Sequence, residues 1–168
     1  MSLRNRGSWW TISAVAAQPL TSAELIGGWA SRAYGERKPC ATLRATLTGQ
    51  APAAAMTFIL PHGPCLPVVR RLKVESGSGI ACSYEHDGFE DIAAFSTGDS
   101  EMSVADFRSR GEFFWLRLKS GVLQHVLAVR ARALGQGSRN IFHQSQPGFV
   151  NAPPQAFLGV SNPVHRAA

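Results

Sequence analysis

One stretch of the sequence, from Gly27 to Pro39, gathers side chains that suit the binding of an anion or a sugar. A flat aromatic ring can stack on the apolar face of a sugar, and a guanidinium can hold a carboxylate or sulfate through two parallel hydrogen bonds. Because glycine permits backbone conformations that other residues avoid, and proline ends a strand ladder, the stretch predicts an irregular loop between strands. Its candidate carbohydrate-binding residues are Trp29, Arg32, Tyr34, Arg37 and Lys38.

The aromatic residues of this stretch also have a second interpretation. Trp29 and Tyr34 would fit the end of a hydrophobic core, with the neighbouring cations simply solvated. Since large aromatic side chains dominate protein cores, we favour the core position for Trp29. Arg32 and Arg37 stay open between the two interpretations.

The densest group of acidic residues lies further along the chain, between Glu85 and Asp91. Glu85, Asp87 and Asp91 are weak candidate ligands for a hard cation such as calcium, because their spacing matches no known calcium loop. Asp87 and Gly88 also form an ordinary turn pair. The five histidines are widely separated, and no nucleophile or phosphate-binding motif accompanies them. We therefore predict no metal and no cofactor, and we assign no catalytic residue.

The positive charge of the chain is concentrated in its first half. Residues 1–74 carry nine Lys and Arg against two Glu, whereas residues 75–168 carry eight against nine Asp and Glu. A basic half suits an anionic partner such as an acidic polysaccharide, a nucleic acid or an acidic protein surface. Because no nucleic-acid-binding motif accompanies the charge, we expect an acidic polysaccharide and no nucleic acid.

Three cysteines, Cys40, Cys65 and Cys82, show neither a disulfide framework nor zinc-ligand spacing. We predict that each is a small buried apolar residue, with one disulfide and a spare thiol as the alternative. No apolar run is long enough to span a membrane, so we expect no membrane association. The run Trp9–Ala17, preceded by Arg4 and Arg6, fits a strand better than a secretory signal. The location therefore stays open between bacterial cytoplasm and periplasm.

Short hydrophobic runs recur about every 8–12 residues with turns between them, and no convincing helix is present. This pattern predicts an all-β fold, an antiparallel β-sandwich of roughly ten short strands, over residues 1–143. Residues 144–168 contain four prolines and predict a partly ordered tail. The predicted strands are Trp9–Ala17, Ala23–Ile26, Ala41–Thr48, Ala53–Leu60, Val68–Glu75, Ile80–Glu85, Asp91–Thr97, Glu101–Arg108, Glu112–Lys119, Val122–Ala131 and Arg139–His143.

Two of these predictions rest on strong local signals. Ala41–Thr48 alternates strictly between apolar and polar residues, which is typical of a strand with one wet face. Glu112–Lys119 and Val122–Ala131 flank the two-residue turn Ser120–Gly121, which predicts a hairpin. In that hairpin Phe114, Leu116 and Leu118 would share one face, and Phe113, Trp115, Arg117 and Lys119 the other.

Two segments of the chain resemble the C-terminal β-sandwich domain of the heparinase II/III-like polysaccharide lyases. The first is Gly28-Trp29, Ser31 and Tyr34-Gly35, which is similar to a Gly-Trp-x-Ser-x-x-Tyr-Gly signature. The second is Phe89–Asp91 followed by Glu112–Leu118. Ala30 and Ala33 depart from the residues common in that signature. The catalytic Tyr, His and Asn of such lyases belong to a helical toroid that this sequence does not match, so no catalytic role is carried over.

The resemblance implies a non-catalytic β-sandwich domain that supports a catalytic domain or binds acidic polysaccharide. The main alternative is a self-associating structural protein, a homo-oligomer formed through an open sheet edge or face. An independent β-fold polysaccharide lyase ranks lowest, and we therefore lean against enzymatic activity for this chain alone.

Overall fold

The computed structural model describes residues 2–5, 8–16, 20–49, 54–62 and 67–157, and most of these residues lie in β-strands. The strand pairings with a defined register are all antiparallel, so the prediction of an all-β antiparallel fold is confirmed. The strands are β1 (Ser2–Asn5), β2 (Ser8–Ala16), β3 (Leu20–Ala30), β4 (Lys38–Leu47), β5 (Ala55–His62), β6 (Val69–Leu72), β7 (Val74–Ser76), β8 (Gly79–His86), β9 (Phe89–Ser96), β10 (Met102–Val104), β11 (Phe107–Arg110), β12 (Phe113–Lys119), β13 (Val122–Gln136) and β14 (Arg139–Ala152), followed by a short 3₁₀ helix, Pro154–Phe157.

The chain divides into two compact units, one of residues 16–55 and one of the remaining residues. The smaller unit is a single hairpin of β3 and β4, whose ladder runs from Leu20 opposite Leu47 to Ala30 opposite Lys38. The predicted strand over Ala41–Thr48 is confirmed. Among the side chains of β3 and β4 whose burial is described, none is buried. Backbone hydrogen bonds and cross-strand contacts therefore hold this hairpin together.

The larger unit contains a nine-stranded sheet that bends round until it nearly closes into a barrel. Its strands follow the order β6-β8-β9-β12-β13-β11-β10-β7, and β14 also pairs with β13. The two ends of this path, β6 and β7, are separated in sequence by Lys73 alone. One continuous stretch of chain therefore contributes to both ends of this curved sheet. A second sheet in this unit has the order β1-β2-β5.

The hydrophobic core lies on the inner face of the curved sheet. Along β12 the side chains alternate between half-exposed and buried positions, as the hairpin pattern predicts. Full burial of such a Phe or Leu side chain contributes about 1.5–3 kcal/mol. The turn into β13 is also as predicted, because Ser120 and Gly121 both have positive φ, which a two-residue turn of this hand requires. The larger members of the core are Ile92, Met102, Val104, Phe107, Phe114, Leu116, Leu118, Leu123, Val126, Leu134, Ile141, Phe142 and Val150.

The long strand β13 bends sharply in its middle. Its register against β14 shifts between Ala128 and Ala131, and Arg130 has a φ of 48°. On the opposite edge Gly111 faces the bend, where an added Cβ would lie 2.7 Å from the Cβ of Ala131. A glycine between β11 and β12 therefore lets the neighbouring chain follow the bend closely.

Several predicted strand bounds were wrong. The single strand predicted over Val68–Glu75 is divided into β6 and β7 at Lys73, and the strand predicted to end at Ala131 continues as β13 to Gln136. The strand predicted over Glu101–Arg108 is interrupted by a turn at Ala105, whose φ is 51°, and becomes β10 and β11. The strand predicted to end at His143 continues as β14 to Ala152. The residues around Pro147 lie in a bulge between the paired positions His143 and Gly148, and a bulge tolerates a residue without a backbone donor. Residues 158–168 of the predicted tail lie outside the described residues.

Candidate functional site

The segment that the sequence marks for binding forms the tip of the β3–β4 hairpin, here called the hairpin tip (residues 29–38). Its irregular part is residues 31–37, shorter than predicted because β3 continues through Gly27 and Gly28 to Ala30. The turn is fixed locally: the Ser31 hydroxyl donates to the carbonyl of Ala33 at 2.7 Å, and the backbone N–H of Glu36 donates to the same carbonyl at 3.1 Å. Gly35 provides the residue with positive φ, at 79°.

Both aromatic residues of the hairpin tip face solvent. Trp29 is 60% exposed and Tyr34 is fully exposed. The predicted core position of Trp29 is therefore wrong. The reason is its strand pairing: among the described residues β3 pairs with β4 alone, in a two-stranded sheet where Trp29 lies opposite Pro39. In this sheet no third described strand flanks the ring, which stays exposed.

The cations of the hairpin tip lie around the exposed rings. The guanidinium carbon of Arg37 lies 4.9 Å from the ring centroid of Trp29, which is a cation–π contact worth about 0.5–1 kcal/mol at an exposed site. The ammonium of Lys38 lies 3.5 Å from the carboxylate of Glu36, and both side chains are largely accessible. Arg32 is exposed and makes no ion pair or side-chain hydrogen bond with any other described residue. The tip therefore presents three cations, one carboxylate and two aromatic rings to solvent.

A second group of polar and aromatic side chains, here called the Asp91 cluster, lies on the outer face of the curved sheet. It consists of Tyr84, His86, Asp91, Trp115 and Arg117. Strand pairing brings these residues together, since Tyr84 and Arg117 are the cross-strand partners of Asp91 on either side. Their side chains point away from the hydrophobic core, because the neighbours Leu116, Leu118 and Ile92 point into it.

Asp91 is the centre of this cluster and is completely buried. Arg117 donates to both of its oxygens, Nε to Oδ1 at 2.8 Å and Nη2 to Oδ2 at 2.8 Å. Nε2 of His86 lies 3.0 Å from Oδ2, and the Tyr84 hydroxyl also hydrogen-bonds the carboxylate. An ionised carboxylate accepts about four hydrogen bonds, so these contacts use its accepting capacity.

The pKa shifts in the cluster follow from this geometry. Burial opposes ionisation of Asp91, but hydrogen bonds from Arg117, Tyr84 and His86 outweigh it and hold the carboxyl pKa below its ordinary value. The hydrogen bond to Asp91 raises the pKa of Arg117. Burial, followed by the hydrogen bond and negative charge of Asp91, raises the pKa of Tyr84 to about 12. The phenol is therefore a hydrogen-bond donor at neutral pH and is poorly suited to act as a base.

Aromatic rings enclose the charged pair. The guanidinium carbon of Arg117 lies 4.9 Å from the centroid of Trp115 and 5.4 Å from that of Phe89. The rings of Tyr84 and His86 stack at 5.2 Å with an interplanar angle of 21°. The ring centroid of Phe58 in β5 lies 6.1 Å from that of Tyr84, so the β1-β2-β5 sheet also contributes an aromatic ring beside the cluster. The low polarity around the pair strengthens its hydrogen bonds.

The carboxylates that the sequence marks as weak metal ligands do not converge. Glu85 pairs with Arg70 at 3.0 Å on the surface, and Asp87 is exposed beside His86. Asp91 is engaged by the cluster. Within the described ranges, no group of three His, Cys, Asp or Glu side chains is arranged to hold a metal ion.

Two of the three cysteines can be placed in the structure, and both are free thiols. Cys82 is buried, as predicted, and burial raises the pKa of its thiol to about 12. Cys40 is only half-buried, because it lies in the exposed hairpin. Cys65 lies outside the described residues. A thiol with the raised pKa of Cys82 forms little thiolate at neutral pH and is chemically inert.

Sequence reasoning missed the Asp91 cluster, although one signal for it was present. Asp91 precedes the apolar run Ile92-Ala93-Ala94-Phe95 within a predicted strand. A charge in such a run needs a partner when the strand is buried. The partner, Arg117, is 26 residues away, and only the register of β9 against β12 identifies it.

A scan against models of protein families finds no match to this chain, and a search of curated proteins finds none either. The resemblance to heparinase II/III-like lyases therefore stays a prediction. In the described part of the chain, no helix has the length and apolar character needed to cross a membrane.

Proposed function

We propose that this chain is a non-catalytic β-domain that binds an acidic polysaccharide through the hairpin tip. The observation that carries the proposal is the pairing of Arg37 with Trp29, in which a guanidinium lies 4.9 Å from a ring that is 60% exposed. An aromatic platform with an attached cation suits a sugar ring that bears a carboxylate or sulfate.

The proposed binding mode uses each part of the tip separately. The accessible surface of Trp29 or Tyr34 receives the apolar face of a sugar ring. Arg32 and Arg37 provide planar forks for the anionic groups, and Lys38 adds a point charge. Because a polysaccharide repeats its charge along the chain, several weak contacts at an exposed tip can add up to useful affinity.

The proposal of a non-catalytic role rests on the chemistry of the two residue groups. In the hairpin tip the one carboxylate, Glu36, lies 3.5 Å from Lys38, and Tyr34 is fully exposed. General acid–base catalysis requires groups held at the reacting atoms with matched pKa values, and an open tip offers no such enclosure. In the Asp91 cluster the carboxylate is saturated, and the pKa of Tyr84 is raised to about 12. Support of a catalytic domain, as the family resemblance implies, is compatible with this role.

The test is binding of the purified chain to an array of uronic, sulfated and neutral glycans at low and high salt. We expect binding to the charged glycans that weakens at high salt, because exposed charges are screened. The double variant Arg32→Ala/Arg37→Ala should bind about tenfold more weakly, since two exposed ion pairs are worth up to about 1 kcal/mol each.

A matched control variant distinguishes a specific effect of the hairpin tip on binding from a general effect of net charge. Arg44→Ala/Arg110→Ala removes the same two charges from exposed ion pairs with Glu24 and Glu101, outside the tip. This control should bind like the parent chain. Equal losses in both double variants, with both folded, would reduce the interaction to unspecific charge attraction and refute the proposed site.

Self-association is the second candidate function, and the exposure of the β3–β4 hairpin favours it. A two-stranded sheet is marginally stable alone, and in the part of the chain that the structure describes both outer edges of this hairpin are without a partner strand. A second copy of the chain could pair with such an edge. Sedimentation velocity over a wide concentration range tests this function. A dimer supports it, and a monomer at every concentration excludes it.

A further inference from the structure

An open cleft on the larger unit, distant in sequence from the hairpin tip, has the features of a small-molecule site. Its volume is about 350 Å³, and its lining comes from the β12–β13 turn, both ends of β13, the start of β14 and the 3₁₀ helix. Clefts of this size that combine apolar walls with a few polar groups are typical of ligand sites.

The bend in β13 creates this cleft. A strand of fifteen residues would extend for roughly 50 Å if it were straight, at about 3.4 Å per residue. Val122 at its beginning and Gln136 at its end nevertheless line the same cleft. The register shifts around Ala131 therefore fold the strand so that its two ends approach each other. Bulges that re-aim side chains in this way are common next to functional sites.

Four of the residues that line the cleft have polar side chains: Gln136, Arg139, Asn140 and Gln155. None of the four makes a side-chain hydrogen bond or ion pair with another residue in the described part of the chain. Each amide provides both donors and an acceptor, and the guanidinium provides a planar fork of donors. The cleft therefore offers one positive charge and three neutral hydrogen-bonding groups.

The remaining surface of the cleft is largely apolar. Val122, Leu123, Ile141 and Pro154 line it, and Leu123 and Ile141 belong to the hydrophobic core. Core residues are held by packing on their inner side, so this wall is rigid. It suits the C–H face of a small ring or a short carbon chain.

The turn that carries two of the polar residues is braced from outside. The backbone N–H of Gly137 donates to the carbonyl of Asp106 at 2.9 Å, and Nη2 of Arg108 donates to the carbonyl of Gly137 at 2.6 Å. Gln136 and Arg139 flank this turn as cross-strand partners. The backbone of both residues is therefore held in place while their side chains stay available for a ligand, which lowers the cost of ordering the site on binding.

We infer that this cleft binds a small hydroxylated carboxylate. Arg139 holds the carboxylate, the amides of Gln136, Asn140 and Gln155 hydrogen-bond the hydroxyl groups, and the apolar wall contacts the carbon skeleton. This site goes beyond the proposed function of the hairpin tip, because it takes a single small anion and uses none of the same residues.

The experiment is an NMR titration of the full chain with gluconate, using the side-chain amide signals of Asn140 and Gln155 as reporters. Glucose, which has hydroxyl groups and no carboxylate, is titrated in parallel. We expect saturable shifts of both reporters with gluconate and at least tenfold weaker binding of glucose. Equal binding of the two probes would contradict the role of Arg139, and unmoved reporters at all gluconate concentrations would overturn the site.

A pair of variants completes the test. Arg139→Gln should weaken gluconate binding at least tenfold, whereas Arg132→Gln, an exposed arginine of β13 outside the cleft, should leave it unchanged. Thermal unfolding confirms that both variants are folded. Arg32→Ala/Arg37→Ala should bind gluconate like the parent chain. A loss of gluconate binding in that variant would transfer the interaction to the hairpin tip, so failure of this site and failure of the proposed function are distinguishable.

Discussion

The hairpin tip and the Asp91 cluster use the same pair of residue types in opposite ways. In each, a guanidinium carbon lies 4.9 Å from a tryptophan ring: Arg37 over Trp29 and Arg117 over Trp115. In the tip the ring is 60% exposed, and Arg37 has no carboxylate partner among the described residues. In the cluster Arg117 is bound twice by a buried carboxylate. Residue type therefore does not decide whether such a pair can bind a ligand; the contacts that already satisfy it do.

The sheet around each pair explains the difference. Trp29 belongs to a two-stranded sheet, whereas Trp115 belongs to a central strand paired with β9 and β13. A central strand brings cross-strand partners to both sides of its residues, and these partners satisfy their hydrogen bonds. An isolated hairpin leaves the same groups to solvent. We expect the cluster to govern stability and the tip to govern binding.

Replacement of Arg117 by alanine should have the largest effect on folding. It would remove both guanidinium hydrogen bonds to Asp91, whose side chain is 0% exposed. Removal of one partner from a fully buried pair costs about 3–5 kcal/mol. Because the Arg117 side chain is 34% exposed, we expect a loss of about 2–3 kcal/mol in the free energy of unfolding, measured by urea denaturation.

Arg37→Ala is the matched control for this prediction, since it removes an arginine from the same distance over a tryptophan. It should lower the free energy of unfolding by less than about 1 kcal/mol, the value of an exposed cation–π contact. Similar losses in Arg117→Ala and Arg37→Ala would show that the two regions do not differ as described.

Acid should act on the cluster through Asp91. Because folding lowers the pKa of this carboxyl, its ionisation contributes stability that is complete above the ordinary Asp pKa of about 3.9 and is lost as the pH falls through the lower folded pKa. Asp91→Asn should therefore be less stable than the parent chain at neutral pH. The difference in the free energy of unfolding between the parent chain and the variant should decrease below about pH 4, as measured by urea denaturation at a series of pH values. A constant difference down to pH 2 would contradict the ionised state of Asp91.

Exchange of the two tryptophans for alanine should separate binding from stability. Trp29→Ala should weaken binding of a charged glycan about tenfold, since aromatic contacts with a ring are worth roughly 1–1.5 kcal/mol, and should leave the unfolding transition nearly unchanged. Trp115→Ala should lower stability and leave binding intact. Glycan affinity and thermal unfolding of both variants are the measurements. Reversed outcomes would assign the binding surface to the curved sheet.

The smallest effect is expected from Arg37→Lys, which keeps the charge and removes the planar fork. If Arg37 binds a carboxylate or sulfate through two parallel hydrogen bonds, the variant should lose about two- to threefold in affinity. The same affinity in both proteins would show that Arg37 acts only as a charge. Calorimetric titration with a uronic oligosaccharide resolves this difference.

The fold class could be predicted because its signals are local. Alternation along Glu112–Lys119 predicts which side chains enter the core, and the Ser120–Gly121 turn predicts the hairpin. The bend of β13 could not be predicted in this way, because it depends on the close approach of Gly111 and Ala131 across strands. The continuation of β14 past Pro147 depends on the same bulged register.

The candidate sites also differ in whether they depend on local sequence or on contacts between strands. The composition of the hairpin tip identified five candidate residues, all of which the structure places at one exposed end of a hairpin. The exposure of Trp29 was not predictable, because an aromatic residue alone does not reveal how many strands surround it. The cluster is assembled by register between strands that are distant in sequence, as the pair Asp91–Arg117 shows, whereas the cleft is lined by residues from both ends of β13.

The central proposal is that the hairpin tip, and not the curved sheet, binds the polysaccharide. NMR titration of the chain with a short uronic oligosaccharide tests it most directly, with the indole N–H signals of Trp29 and Trp115 as the two reporters. We predict a saturable shift of the Trp29 signal that disappears in Arg32→Ala/Arg37→Ala, with the Trp115 signal unmoved. A shift of Trp115 alone, or an unmoved Trp29 signal at saturating oligosaccharide, would contradict the account.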